Sequence, residues 1–283
     1  MTRIHKFSMH KIEFIVLVIA GVIASFAFFE YKKNFDSIGH PTGSTISGIA
    51  ASDVGKAPNF ALIENAQQKK RAFFDYLKPG IALENQRVMK ERQRLEAMSS
   101  AFSQGPLTQE QTNYARYLGN LYNVELPEQG VDEAWLDTML HRVDVLPPAL
   151  VLIQAANESA WGTSRFATQG NNYFGQWCYV KGCGLVPRKR RSGMDHEVAK
   201  FSAVQESING YFMNVNRNDA YKALRETRYQ RYVNGDSLID MEAALHLTNG
   251  LLKYSERGEA YVNDIKTMIR HNRTLIESPI PKQ

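Results

Sequence analysis

The sequence lacks the motifs of several common hydrolases. Its seven histidines include no His-Glu-x-x-His spacing, which argues against a zinc peptidase or amidase of that type. It also contains no Gly-x-Ser-x-Gly elbow, the strand-to-helix turn that carries the nucleophile of many serine hydrolases. From these absences we expect neither a catalytic metal nor a serine nucleophile, and no cofactor.

Cysteine is scarce as well, because Cys178 and Cys183 are the only two in the chain. Two thiols without a nearby pair of histidines argue against a zinc site. The two residues enclose four others, so in an oxidising compartment they would close a small disulfide loop. The alternative is a pair of free thiols.

The chain has little excess charge outside its N-terminus. The formal net charge of +5 and the pI near 9.1 invite a nucleic-acid interpretation. Residues 1–33, however, carry five lysines and arginines against two glutamates, a net charge of +3. Because only +2 remains for the rest of the chain, the basic pI gives little support to nucleic-acid binding, and no such partner is expected.

One long apolar run is present, near the N-terminus. Sixteen uncharged residues, Phe14 to Phe29, lie between Glu13 and Glu30. As a helix they would span about 24 Å, slightly less than a ~30 Å hydrocarbon core. This length fits a signal-anchor helix or the core of a cleaved signal peptide, and a buried core helix is the third alternative. Aromatic residues and lysines in 28–33 favour an uncleaved single-pass anchor within residues 1–33, which would export the rest of the chain.

The rest of the chain divides into segments by composition. Aromatic residues make up 11% and apolar residues 43% of the sequence, which argues against global disorder. A segment rich in Gly, Ser and Pro comes first, and apolar residues at helical spacing follow it. Pro79-Gly80 predicts a break in this helix. In the second piece, charged residues at 87–96 predict a helix face exposed to solvent. The predicted organisation is a flexible linker (34–58), a helical N-terminal extension (59–129), a main domain (130–274) and a tail (275–283).

The main domain is predicted to be mainly helical with one irregular insertion. Between Asn172 and Phe201, glycines, a proline and both cysteines break any helical period. Short stretches at 173–179 and 198–201 fit the strands of a small hairpin. The expected fold class is therefore mainly α, formally α+β, with a small β-hairpin insertion.

The most informative segment is a predicted helix that ends in a glutamate. Pro147-Pro148 suits its first turn, and the next eight residues are apolar except Gln154. Asn157 and Glu158 follow at its far end. A partly buried carboxyl group at the negative end of a helix dipole has a raised pKa, which suits the general acid of glycoside cleavage. A structural role for Glu158, in a buried salt bridge or a cap, is the alternative.

This segment resembles a known family. Residues 146–164 contain Glu-Ser-Ala-Trp-Gly and are followed by Asn171-Asn172-Tyr173-Phe174-Gly175. They are similar to the Pro-Pro start, Glu-Ser-x-Trp-Gly core and Asn-Leu-Phe-Gly loop of bacterial N-acetylglucosaminidases of the autolysin and flagellar type, glycoside hydrolase family seventy-three. Leu252-Lys253-Tyr254-Ser255 with the later Tyr261 resembles the closing pattern of that family. The resemblance covers roughly residues 130–272, and a helical region at 71–79 makes the whole chain most similar to the family's Bax-type proteins.

The resemblance implies a lysozyme-like fold and a set of site residues. Glu158 matches the essential acid of the family. A second family carboxylate usually lies on the hairpin, which points to Glu197, with Asp195 as the fallback and an exposed hairpin charge as the alternative. Tyr254 and Tyr261 match the closing pattern, where Tyr254 would serve catalysis and Tyr261 substrate binding; core packing is the alternative for both. The other expected substrate-binding residues are Asn157, Trp161, Asn172, Phe174 and Trp177.

The resemblance also implies a function. A family member would act as an endo-β-N-acetylglucosaminidase on the β-1,4 bonds of peptidoglycan glycan strands. Its anchor would make it a single-pass protein of the bacterial inner membrane with the catalytic domain in the periplasm, or a secreted protein if the signal is cleaved. A lytic transglycosylase and a non-catalytic wall-binding or scaffold protein are the alternatives.

Overall fold

Helices make up most of the chain that the structure, a computed structural model, describes: residues 45–46, 49–50, 53–188 and 193–280. Short 3-10 helices lie at Phe60–Leu62, Asp219–Tyr221 and Thr248–Leu251. The α-helices in chain order are α1 (Ala66–Phe102), α2 (Gln109–Tyr122), α3 (Glu133–Arg142), α4 (Pro148–Ser159), α5 (Arg165–Gly170), α6 (Val204–Arg217), α7 (Lys222–Val233), α8 (Met241–Leu247), α9 (Glu259–His271) and α10 (Arg273–Glu277).

Two small antiparallel sheets accompany these helices. The first consists of β1 (Thr45–Ile46) and β2 (Ile49–Ala50), and the second of β3 (Trp177–Cys178), β4 (Gly184–Leu185) and β5 (Glu197–Ala199) in the order β3-β5-β4. A Cβ on Gly184 would lie 2.0 Å from the carbonyl oxygen of Val198, so glycine is required for this close pairing. The expected hairpin is thus a three-stranded sheet whose last strand lies in the middle. The mainly helical fold with a small β insertion is confirmed.

Helix α1 continues through Pro79, so the predicted break at Pro79-Gly80 is wrong. A proline inside a helix removes one backbone hydrogen bond, but tertiary packing holds this helix together. Gly80 lies so close to α6 that a Cβ would be 2.5 Å from Gln205 Oε1 and 2.9 Å from Ile208 Cδ1. Gln205 Nε2 also donates to the carbonyl of Gly80 over 3.1 Å.

Helix α4 lies in the hydrophobic core, where nine of its twelve residues are buried. Helices α1, α8 and α9 pack against it. From α1, the side chains of Phe73, Phe74, Leu77 and Ile81 are fully buried, and burial of each such side chain contributes about 1.5–3 kcal/mol. Residues before 130 therefore complete the core around α4.

Buried polar side chains fix the start of α4. Asn85 of α1 donates to the carbonyl of Leu146 and accepts from the Leu146 N–H, both over 2.9 Å. Arg228 of α7 donates to the carbonyls of Asp144 and Val145 over 2.9 and 3.1 Å. These bonds satisfy backbone groups of residues 144–146, the segment that leads into α4. The position of α4 thus depends on both α1 and α7.

The predicted membrane segment, Phe14 to Phe29, lies outside the described residues. Within the part of the chain that is described, no helix combines the length and apolar character needed to cross a membrane.

Candidate active site

Glu158 lies in the last turn of α4, just before the chain turns sharply. Ala160, Trp161 and Gly162 follow with φ angles of 50°, 58° and 77°. The Trp161 N–H donates to the carbonyl of Ala156 over 2.9 Å, and the Gly162 N–H donates to Ser159 Oγ over 2.8 Å. Left-handed backbone at residues other than glycine costs free energy and is commonest at functional sites. The turn leaves Glu158 partly exposed at the end of a buried helix.

One oxygen of Glu158 accepts two hydrogen bonds. The Tyr261 hydroxyl of α9 donates to Glu158 Oε1 over 2.9 Å, and Asn157 Nδ2 donates to the same oxygen over 3.1 Å. Burial raises the pKa of Glu158, and these two hydrogen bonds lower it by a smaller amount. No lysine, arginine or histidine among the described residues forms a salt bridge with Glu158. With no cation paired to it and burial as the largest effect, the carboxyl group has a pKa above its ordinary value.

A buried hydrogen-bonded chain leads to this carboxyl group. Tyr211 of α6 donates to Gln154 Oε1, and Gln154 Nε2 donates to the Tyr261 hydroxyl oxygen over 3.0 Å. Sequence reasoning missed Gln154 and Tyr211 as site residues. The available signal was the one polar residue in an otherwise apolar helix, because a buried amide is rarely left without partners.

Tyr254 lies beside this chain. Its ring stacks on that of Tyr261 with centroids 5.5 Å apart and an interplanar angle of 9°. Its hydroxyl donates to the carbonyl of Phe174 over 3.0 Å. Phe174 in turn is buried and stacks on Tyr211 at 4.4 Å. Tyr254 and Phe174 therefore connect the loop after α5 to the tyrosines around Glu158.

Asn172, at the start of that loop, is buried and uses its side chain on the backbone. Nδ2 donates to the carbonyls of Gln176 and Ala199, each over 2.9 Å. Oδ1 accepts from the N–H groups of Phe174 and Gln176 over 3.3 and 3.1 Å. These four bonds shape the loop and attach it to β5.

Comparisons with known proteins identify the family. Residues 134–274 match the family model of glucosaminidases, described as mannosyl-glycoprotein endo-beta-N-acetylglucosaminidase. Over 219 residues the chain is 30% identical to the protein bax of Escherichia coli (strain K12), a match that covers 77% of this chain and 75% of that protein. The chain belongs to the Bax-type glucosaminidase family. No solved structure matches it. Family membership points to a glycosidase that acts on a glycan.

The β insertion of this chain holds Glu197 by hydrogen bonds from its backbone. The Gly182 N–H donates to one carboxylate oxygen over 3.0 Å, and the Gly184 N–H donates to the other over 2.8 Å. Cys178 and Cys183, which close the same loop, form a disulfide. These cysteines and Glu197 are a cluster of metal-ligand type in the described chain, but the disulfide leaves no thiolate for a metal. Asp195 is exposed.

The two predicted sugar-binding tryptophans, Trp161 and Trp177, have different surroundings. Trp161 packs on α1, with its ring 5.6 Å from Phe73 and 5.4 Å from Phe74. Trp177 is 53% exposed and stacks on His196 at 3.8 Å. Of the two, Trp177 therefore presents the larger aromatic surface to a ligand.

Proposed function

We propose that this glucosaminidase is a peptidoglycan hydrolase that cuts β-1,4 bonds after N-acetylglucosamine, with Glu158 as general acid. The observation that carries the proposal is the state of the Glu158 carboxyl group. Burial raises its pKa, its described partners are uncharged, and it remains partly exposed. A carboxyl group that stays protonated towards neutral pH is what the leaving oxygen of a glycoside needs.

In the proposed reaction, Glu158 gives its proton to the glycosidic oxygen as the bond to the anomeric carbon breaks. Charge develops on the sugar ring as an oxocarbenium-like transition state forms. The ring of Tyr254, which is partly exposed and stacks on that of Tyr261 beside the carboxyl group, would line the sugar-binding surface. Asn157, which is exposed, and Trp177 are the residues best exposed to contact neighbouring sugars.

Besides the general acid, the reaction needs a second group that activates a water molecule or attacks the anomeric carbon. This group is either a carboxylate or part of the substrate. Each oxygen of Glu197 accepts one backbone hydrogen bond, and these two bonds hold the carboxylate against the backbone of its own loop. This observation favours the 2-acetamido group of the substrate as the nucleophile, one of the known exceptions to the two-carboxylate scheme. Glu197 as second catalytic carboxylate stays a prediction.

The proposed location follows from the sequence. An N-terminal anchor within residues 1–33 would place the glucosaminidase domain in the periplasm, where its glycan substrate lies. An oxidising compartment is consistent with the Cys178–Cys183 disulfide.

Digestion of purified sacculi tests the proposal. The full-length chain, Glu158→Gln and the exposed control Glu125→Gln are compared by mass spectrometry of the released muropeptides. We expect fragments that end in reducing N-acetylglucosamine from the native chain and from Glu125→Gln, and none from Glu158→Gln. Anhydro-muramyl ends would instead identify a lytic transglycosylase, and an absence of fragments from the native chain would indicate a wall-binding protein.

A further inference from the structure

In the buried chain of hydrogen bonds that ends at Glu158, every bond is donated in the direction of Glu158. Tyr211 donates to Gln154 Oε1, Gln154 Nε2 donates to Tyr261, and Tyr261 donates to Glu158 Oε1. Tyr211 and Gln154 have no exposed surface, and Tyr261 is 2% exposed. These groups are therefore shielded from bulk water, and the hydroxyls of Tyr211 and Tyr261 each donate to one described acceptor.

Gln154 determines this direction. Its amide nitrogen only donates, so the Tyr261 oxygen acts as the acceptor and the one hydroxyl hydrogen of Tyr261 is left for Glu158. Asn157 donates to the same Glu158 oxygen over 3.1 Å. Because a carboxyl oxygen has two lone pairs, the two donors occupy Oε1. A proton taken up by the carboxyl group then belongs on Oε2.

Oε2 faces a glycine. A Cβ on Gly175 would lie 3.7 Å from Glu158 Oε2, and apart from the adjacent residues 174 and 176 no other described residue has an atom within 4 Å of that Cβ position. No described residue donates a hydrogen bond to Oε2, whereas Tyr261 and Asn157 both donate to Oε1. Trp177, two residues further along at the start of β3, is 53% exposed.

We propose that Gln154 is a positioning residue that keeps the acidic proton of Glu158 on Oε2, the oxygen that faces Gly175. This inference rests on the proposed role of Glu158 as general acid. In Gln154→Met, the Tyr261 hydroxyl hydrogen can turn from Glu158 towards the thioether at position 154, a weak acceptor, and the Tyr261 oxygen can then accept a hydrogen bond from Glu158 Oε1. The acidic proton can then reside on Oε1 and be donated to Tyr261 instead of to the substrate.

The other titratable groups near Glu158 are tyrosines. Its charge acts on Tyr211, Tyr221, Tyr254 and Tyr261, and burial raises the pKa of all four. These tyrosines stay protonated over the range in which a carboxyl group titrates. A titration of the site between acidic and neutral pH therefore reports on Glu158.

Gln154→Met tests the proposal, because methionine keeps the length of the side chain and removes the amide. Gln205→Met is the matched control: Gln205 is 5% exposed and donates two hydrogen bonds, to Gly80 and Glu84. We expect Gln154→Met to lower kcat about ten- to a hundredfold, part of the ~10²–10⁴-fold that a general acid supplies, with little change in KM. The basic limb of its pH–rate profile should move to higher pH, because the protonated form gains a hydrogen bond to Tyr261. Gln205→Met should leave that limb in place.

Infrared difference spectroscopy of the full-length chain gives a readout that needs no turnover. Subtraction of a Glu158→Gln titration isolates the carbonyl band of protonated Glu158. In the native chain the carbonyl oxygen is Oε1, with two donors. In Gln154→Met part of the population would have Oε2 as the carbonyl oxygen, without a donor, so the band should move to higher wavenumber.

The two readouts separate the two proposals. An unchanged band and an unchanged basic limb in Gln154→Met would overturn the role of Gln154, even if kcat falls. If the native chain releases no glycan fragments, the proposed function fails, but the band still shows which oxygen holds the proton.

Discussion

Arg92 of α1 and Asp144, which precedes α4, form an almost completely buried ion pair with Nη1 and Oδ2 3.1 Å apart. Arg92 also donates to the carbonyl of Val143 over 3.3 Å, and Asp144 accepts from the Val145 N–H over 2.8 Å. Because desolvation offsets much of the attraction in such a pair, its main effect is to fix geometry. Here the pair fixes the N-terminal extension against the segment that leads to Glu158.

Removal of one partner of the Arg92–Asp144 ion pair should destabilise the protein strongly. Arg92→Ala leaves the Asp144 carboxylate buried without its cation, and we expect the free energy of unfolding to fall by about 3–5 kcal/mol. Arg273→Ala breaks an exposed pair with Glu277, whose side chains are 63% and 49% exposed, and should cost at most about 1 kcal/mol. Urea denaturation followed by circular dichroism measures both. Equal small losses would contradict a core role for α1.

Glu158 should reduce stability as the pH rises. Its pKa in the folded chain is raised above the ordinary value of 4.5, so the native protein is most stable relative to Glu158→Gln below that value. This contribution is lost as the pH rises through the folded pKa. Glu158→Gln should therefore gain stability relative to the native chain as the pH rises from 4 to 8. Denaturation curves from pH 4 to 8 measure the difference; a constant difference would mean that the pKa is not raised.

Glu197 should matter more for the loop than for the chemical step. Glu197→Gln keeps one acceptor for the N–H groups of Gly182 and Gly184 and loses the other. We expect faster amide exchange at Gly184 and a loss of activity below about tenfold, whereas loss of a general acid or base costs about 10²–10⁴-fold. Amide exchange by NMR and sacculus digestion are the two measurements. A loss as large as that of Glu158→Gln, with exchange unchanged, would make Glu197 the second catalytic carboxylate.

The parts of the site that could be predicted from sequence are those with local signals. The start of α4, its apolar run and the position of Glu158 follow from consecutive residues. Gln154 and Tyr211 were missed because their bonds join residues 107 and 57 positions apart, and no local pattern reports such pairs.

Tertiary packing overrode local rules in α1. Pro79 predicted a break that the contacts of Gly80 with α6 prevent. Arg92 was expected on a solvated face, yet it is 2% exposed, because its partner Asp144 is distant in sequence. The charge pattern identified the helix but not which of its charged residues are buried.

Gly162 should be intolerant of substitution because of its packing against the N-terminal extension. Its φ is +77°, and a Cβ there would lie 2.4 Å from Cδ2 of Phe60, which is 1% exposed. Gly235 has a similar φ of +74° with nothing within 4 Å, so Gly235→Ala measures the backbone cost alone, about 1–2 kcal/mol. Gly162→Ala adds the overlap with Phe60, which costs about 1–3 kcal/mol more.

Gly162→Ala and Gly235→Ala also test whether the packing of residue 162 against Phe60 positions Glu158. Gly162 lies four residues after Glu158, in the turn that ends α4, so an overlap with Phe60 must displace either the turn or the extension. We expect Gly162→Ala to lower kcat in the folded protein and Gly235→Ala to leave it unchanged, measured at a temperature where denaturation curves show both to be folded. If both variants lose the same stability and keep native kcat, Phe60 moves aside freely. The extension would then not hold Glu158 in place through this turn.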